Sequence, residues 1–311
     1  MPVFPRHVPG SLVGIADPII DVLGPLVPPA DAQRARAALS RIDVLSAVSL
    51  GLEVVLPPFV AACDVSVLMP ARRIPAFAEG CHESLTLLAE SGGEDQSIWW
   101  ELDTSSDDPA IGAFVRSTGT DATPLARRAA ASRPDLEQAV NALVDVVTPY
   151  WQGEGRLIGF FPDRQPLPVA AALLPSFGLD AHAALRDLAP VVTASVDPDA
   201  ALISHLSGYL DAIALAVGAD AEGRTAVSWE GSFREREIAM SQDRWAPALQ
   251  PSPVWGEAGE SLASLLAVQG VHTFNSLPTI RLLSGIDHLK IGPGGRVKAY
   301  VGAHIVSPSY R

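Results

Sequence analysis

Short β-rich stretches, mostly apolar and bounded by turn formers, come in pairs along this chain, and stretches with helical apolar spacing separate the pairs. Gly51 to Leu56 and Ala62 to Met69 form the first strand pair, divided by Pro57-Pro58 and bounded by Pro70. Ile98 to Thr104 and Ile111 to Ser117 flank the turn-forming run SSDDPA. Arg156 to Phe161 and Val169 to Leu174 form the third pair, and Ala212 to Val217 with Arg224 to Glu230 the fourth. The fifth is His288 to Ile291 with Arg296 to Val306, around GPGG. Helical spacing predicts helices over Ala30 to Val48, Phe77 to Glu90, Asp135 to Val147, Asp180 to Leu188, Asp199 to Leu210 and Glu257 to Gln269. The last stops at Gly270, a common residue just past a helix end. The first 30 residues are rich in proline and are expected to wrap the surface.

Five hairpins separated by helices predict an α/β chain with ten antiparallel strands, and such a sheet must hide its edges. Closing into a barrel with helices outside does so; the alternative is an open antiparallel α+β sheet with helices on one face. No linker-like segment divides residues 1–311, so a single domain is expected.

Apolar residues make up 48% of the chain, enough for a large core, and the formal charge of -13 argues against nucleic acid or an anionic membrane as the main partner. No apolar run reaches the roughly 20 residues of a membrane helix, and the start lacks a secretory pattern, so a cytoplasmic protein is expected. Cys63 and Cys81 form no CxxC pair and read as small buried thiols.

Chemistry concentrates near the C-terminus. The only lysines are Lys290 and Lys298. Arg296, Lys298, Tyr300, Gly302 and His304 alternate along one strand and so share a face, while Val297, Ala299, Val301 and Ala303 take the other. Two cations, a phenol and an imidazole on one face suit a wet interior that binds an anion; a solvated edge strand is the alternative. Lys290 stands opposite Lys298 if the GPGG turn is a three-residue loop, and turns to the other face with a two- or four-residue loop. Glu53 is a lone carboxylate amid apolar neighbours on the first strand, either a site residue or a solvent-facing or salt-bridged glutamate. Glu101 and Asp103 share the face of Trp99. There is no GxGxxG, Walker A or GxSxG pattern.

Arg296-x-Lys298-x-Tyr300, following an HLK strand and a glycine turn, resembles the pattern of the aromatic prenyltransferases of the ABBA, or PT-barrel, fold. The resemblance implies a ten-stranded antiparallel barrel of five αββα units with helices outside and both substrates in a solvated lumen. It implies that Lys290, Arg296, Lys298 and Tyr300, with Arg116 and Arg224 from earlier hairpins, bind an allylic diphosphate. It further implies that Glu53 accepts a hydrogen bond from the aromatic acceptor. Trp99 and Trp229 are candidates for the aromatic side of the site, where cation–π contact would replace a tyrosine shield, with core packing as the alternative; Glu101 and Asp103 either hold Mg²⁺ on the diphosphate, as in some members of the family, or face water. The chain departs from the family pattern in having only four tyrosines and no second Lys-x-Tyr.

Three functions follow as expectations. One is transfer of an allylic group from a diphosphate to an indole or phenol. Another is a PT-barrel isomerase or cyclase acting on a natural-product intermediate without diphosphate. The third is a non-catalytic small-molecule binding protein.

Overall fold

The structure is a computed structural model that describes residues 10–70, 73, 75–76, 97–104, 111–117, 134–147, 156–160, 169–176, 180–191, 200–219, 224–233, 242–274 and 280–306. It is an α+β arrangement, with helices packed on one face of a curled antiparallel sheet. The strands are β1 (Ser49–Val55), β2 (Cys63–Pro70), β3 (Ser97–Asp103), β4 (Ile111–Ser117), β5 (Arg156–Phe160), β6 (Val169–Ser176), β7 (Ala212–Ala219), β8 (Thr225–Ser232), β9 (Gly270–Phe274), β10 (Ile280–Ile291) and β11 (Val297–Val306). All five expected hairpins form as antiparallel ladders. Neighbouring hairpins also pair with one another, β2 with β3, β4 with β5, β6 with β7 and β8 with β10. β11 pairs with β10 on one side and β1 on the other. β9 was not anticipated; it pairs with the first half of β10, which begins eight residues earlier than the pattern around His288 indicates.

Alternation gives the sheet two chemically different faces. Leu50, Leu52 and Val54 of β1, Val65 and Val67 of β2, Trp100 and Leu102 of β3, and Ala299 and Val301 of β11 join one apolar core. The described helices are α1 (Val13–Leu23), α2 (Pro29–Leu39), α3 (Pro134–Val147), α4 (Ala181–Leu188), α5 (Ala200–Ser207), α6 (Gln242–Ala248) and α7 (Leu262–Ala267). α2 packs on β2, α3 on β6 to β8, α4 and α5 on β8, and α7 on β10. α3 buries Ala139, Val140 and Leu143, four-residue spacing that aims one stripe at the sheet. Asp180 caps α4 by accepting from the amides of His182 and Ala183, at 3.0 and 3.1 Å.

Two expectations at the N-terminus are corrected. The segment beyond residue 10 does not merely wrap the surface: α1 sends Ile15, Ile19, Ile20 and Leu23 into the core and ends at Gly24, whose φ of 45° suits glycine. The helix expected over Ala30 to Val48 is α2 alone, ending at Leu39; Ile42 is buried from a turn, and Leu45 is 66% exposed. The helix expected over Phe77 to Glu90, and Cys81 with it, lie outside the described residues. Among the described residues, no helix is long and apolar enough to cross a membrane.

Candidate functional site

On the face opposite the apolar core, one row of directly paired residues crosses six strands. It runs Asp103, Asp64, Glu53, Tyr300, His288 and Ser232, from β3 through β2, β1, β11 and β10 to β8. The adjoining row on β11, β10 and β8 is Lys298, Lys290 and Glu230. Opposed Cβ atoms in antiparallel pairs lie about 4.5–5.5 Å apart, so these rows make a continuous polar surface. The turn before β11 fixes this register. Pro293-Gly294-Gly295 is the three-residue loop, with φ of 69° and 76° at its two glycines, and it leaves Lys290 opposite Lys298.

The acidic end of the row is clamped from outside. Asp31 of α2 accepts from the Cys63 amide at 3.1 Å, Arg34 pairs with Asp31 at 3.0 Å, and Arg34 also donates to the Thr104 carbonyl. The Thr104 hydroxyl donates to the Cys63 carbonyl. Asp64 and Asp103 each follow or precede one of these pinned residues, so α2 sets their position on the opposite face. The Cys63 thiol is buried, and burial together with Asp64, Asp31 and Glu53 pushes its pKa up, which makes it a poor nucleophile.

Both lysines already have carboxylate partners. The Lys298 ammonium donates to Glu53, which is 3% exposed, and Lys290 Nζ lies 3.0 Å from Glu230 Oε1. Tyr300 stands directly opposite Glu53 in the β1–β11 ladder. Burial alone would raise the Glu53 pKa, but Lys298, Lys290 and the Tyr300 phenol prevail, so it sits below the ordinary carboxyl value. Glu230 is likewise held low, because Lys290 and His288 outweigh its burial. Burial works against the Lys298 charge, yet Glu53, Asp64 and Glu101 keep its pKa raised. Burial followed by repulsion from Glu53, Glu101 and Glu230 keeps the Tyr300 phenol protonated well above its ordinary value.

Two further carboxyls behave in the opposite way. Burial, with repulsion from Glu53 and Asp103, pushes Asp64 up to about 7. Burial, with repulsion from Glu53 and Asp64, pushes Glu101 up to about 8. Oxygens of Glu53, Asp64 and Glu101 lie within 4.8 Å of one another. One carboxyl held low beside two pushed up forms an acid–base group, in which environment alone separates the roles. Three carboxylates at this spacing would also suit a hard divalent cation, although the cation would have to displace Lys298 from Glu53 and protons from the other two.

Of the residues expected to act together, Glu53, Lys290, Lys298 and Tyr300 converge. Trp99 stands half-buried on the same face, two residues before Glu101. Arg296 does not join them: it is exposed in the turn before β11. Arg224 is exposed just before β8. Trp229 is fully buried on the apolar face, where its ring occupies the space a side chain at Gly231 would need. It is a core residue rather than a substrate wall, because alternation gives the site face to Ser228, Glu230 and Ser232 instead. Arg116 stands opposite Leu157 in the β4–β5 ladder. Glu101 groups with Glu53 and Asp64 rather than with Asp103 alone. His304 shares this face, as its alternation with Lys298 and Tyr300 indicates. Asp64, Glu230, Asp287 and His288 were not singled out as site residues, although Asp64 and Glu230 alternate with serines in the sequence, as a half-polar strand would.

No family model and no curated protein matches the sequence.

Proposed function

We propose that the sheet closes into a ten-stranded barrel and that its polar interior is the site of a small-molecule isomerase or cyclase using carboxyl acid–base chemistry. The pairing of β11 with both β10 and β1 supports closure, because the ladders then return to their start. The observation that carries the chemistry is the charge pairing. Lys298 is bound to Glu53 and Lys290 to Glu230, so neither offers uncompensated charge to a diphosphate. Asp64, Glu101, Asp103 and Asp287 add further carboxyl groups around these two pairs. Such a site suits a neutral substrate that becomes cationic in the transition state. A protonated carboxyl gives its proton to an electron-rich double bond. The π pair forms the new C–H bond, and the adjacent carbon becomes cationic beside Glu53 and the Tyr300 ring. That carbon either loses a neighbouring proton to a base, or is first captured by an internal π bond, which moves the cation to a ring carbon that then loses its neighbouring proton; in both cases one proton is gained and one lost, so atoms and charge balance without a co-substrate.

Aromatic prenyl transfer is the second reading. Its support is the convergence of Glu53, Lys298, Tyr300 and Lys290 on three adjoining strands, as the resemblance implies. The two readings separate by titration calorimetry with dimethylallyl and geranyl diphosphate, with and without Mg²⁺. The acid–base reading expects metal-free dissociation constants weaker than about 1 mM. It also expects solvent deuterium in an isomerised or cyclised product when unsaturated aromatic intermediates are incubated in D₂O. Tight metal-free binding that Lys298→Ala abolishes would overturn it in favour of prenyl transfer.

A further inference from the structure

β10 changes register between Ile286 and His288, where it pairs with Val301 and Tyr300 of β11, so Asp287 is one extra residue. Two carbonyls at the bulge accept from side chains. Trp245 Nε1 donates to the Ile286 carbonyl at 2.9 Å, and the Ser232 hydroxyl donates to the Asp287 carbonyl at 2.6 Å. The bulge is thus held from the helix side by α6 and from the site side by β8. What it delivers is the Asp287 carboxylate, placed among side chains that ordinary alternation would deny it.

There Asp287 Oδ2 lies 3.0 Å from His288 Nδ1, and Asp287 Oδ1 lies 3.6 Å from His304 Nε2. The His288 ring stacks on Tyr300, with centroids 3.8 Å apart and planes 17° from parallel. Tyr300 in turn stands directly opposite Glu53 in the β1–β11 ladder. His288 and Asp287 are 23% and 24% exposed, open to a small molecule on this face yet largely withdrawn from bulk water. A carboxylate on Nδ1 selects the tautomer whose proton sits on Nδ1, and this leaves the Nε2 lone pair free.

We propose that His288 is the general base of the site, taking a substrate proton at Nε2, and that Asp287 is the positioning residue that fixes its tautomer and orientation. In the isomerisation, the C–H pair becomes the new double bond, the proton goes to Nε2, and Asp287 faces the imidazolium that results. The stack on Tyr300 fixes the ring plane, and Ser232 and Trp245 fix the bulge. This inference rests on the acid–base reading of the site, but its test does not. In protein labelled with ¹⁵N-histidine and studied where the imidazoles are neutral, the ring nitrogen shifts of His288 should report the Nδ1–H tautomer. Asp287→Asn, which is isosteric, should move His288 towards the Nε2–H form and lower solvent-proton exchange into product by about 10²- to 10⁴-fold. A wild-type His288 already in the Nε2–H form, or a tautomer indifferent to Asp287→Asn, would overturn the proposal while leaving Glu101 and Asp64 as acids. Tight metal-free diphosphate binding would instead remove the acid–base reading and leave the tautomer measurement unchanged, so the two failures are distinct.

Discussion

At Glu101 two effects act in the same direction. Burial denies the carboxylate its water, and Glu53 and Asp64 repel its charge, so the group holds its proton up to about pH 8. In the unfolded chain the same group ionises near 4.5. Between those values the folded state binds the proton more strongly, so folding stability falls as pH rises through the window, by up to about 1.4 kcal/mol per pH unit. Asp64 contributes in the same sense between 3.8 and about 7. Glu101→Gln removes the first contribution and keeps the shape of the side chain. Its stability in urea should therefore fall less than that of wild type between pH 5 and pH 8. An equal decline in both proteins would mean that Glu101 ionises normally. Glu53 was legible as a candidate because a carboxylate amid LGL and VVL is conspicuous. Its partners were not, since which lysine meets which carboxylate depends on the register of four strands. Arg296 misled because alternation extends only as far as the strand, and the strand begins at Val297.

Elements were legible where period and punctuation agreed. The five hairpins have short β-rich stretches on both sides of a glycine-, proline- or aspartate-rich turn, and all five formed. β10 runs on through Ser284-Gly285, turn-forming residues that mark no turn here, and β9 begins at Gly270, the glycine that was read as a helix stop. α1 carries Pro18 within it, and the surrounding prolines hid the spacing of Ile15, Ile19 and Leu23. The bulge at Asp287 left no local mark, because its cause is tertiary: Trp245 and Ser232 come from 41 and 55 residues away. This origin makes it testable. Trp245→Phe removes the indole N–H that satisfies the Ile286 carbonyl, and a buried carbonyl without its donor costs about 1–3 kcal/mol. Trp255→Phe is the control, because the buried Trp255 N–H has no hydrogen-bond partner among the described residues. In urea denaturation Trp245→Phe should be the more destabilising of the two, by roughly that difference. Equal losses would assign the effect to ring volume rather than to the bulge.

For the molecule as a whole, the charge of -13 and the paired lysines point the same way: an anionic ligand meets an acidic protein whose site cations are already engaged. Whether the polar face is an enclosed interior depends on one seam. β1 is buried along its whole length, including Ser49, Gly51 and Glu53 on the site face, as expected of a strand covered on both sides. β1 and β11 are 254 residues apart at the Ser49 hydroxyl bond to the Ala303 carbonyl, so this is the most non-local ladder among the described residues and the one whose loss would open the sheet. If the seam is closed, the amides of Ser49–Val55 and Val297–Val306 should exchange with D₂O as slowly as those of Ala212–Ala219 and Thr225–Ser232, through global unfolding only. If the sheet is open there, β1 and β11 amides that face each other should exchange orders of magnitude faster, by local separation of two edges. Fast exchange confined to that seam would break the row at Glu53 and Tyr300, and with it the enclosed acid–base site, whatever the chemistry of the separate halves.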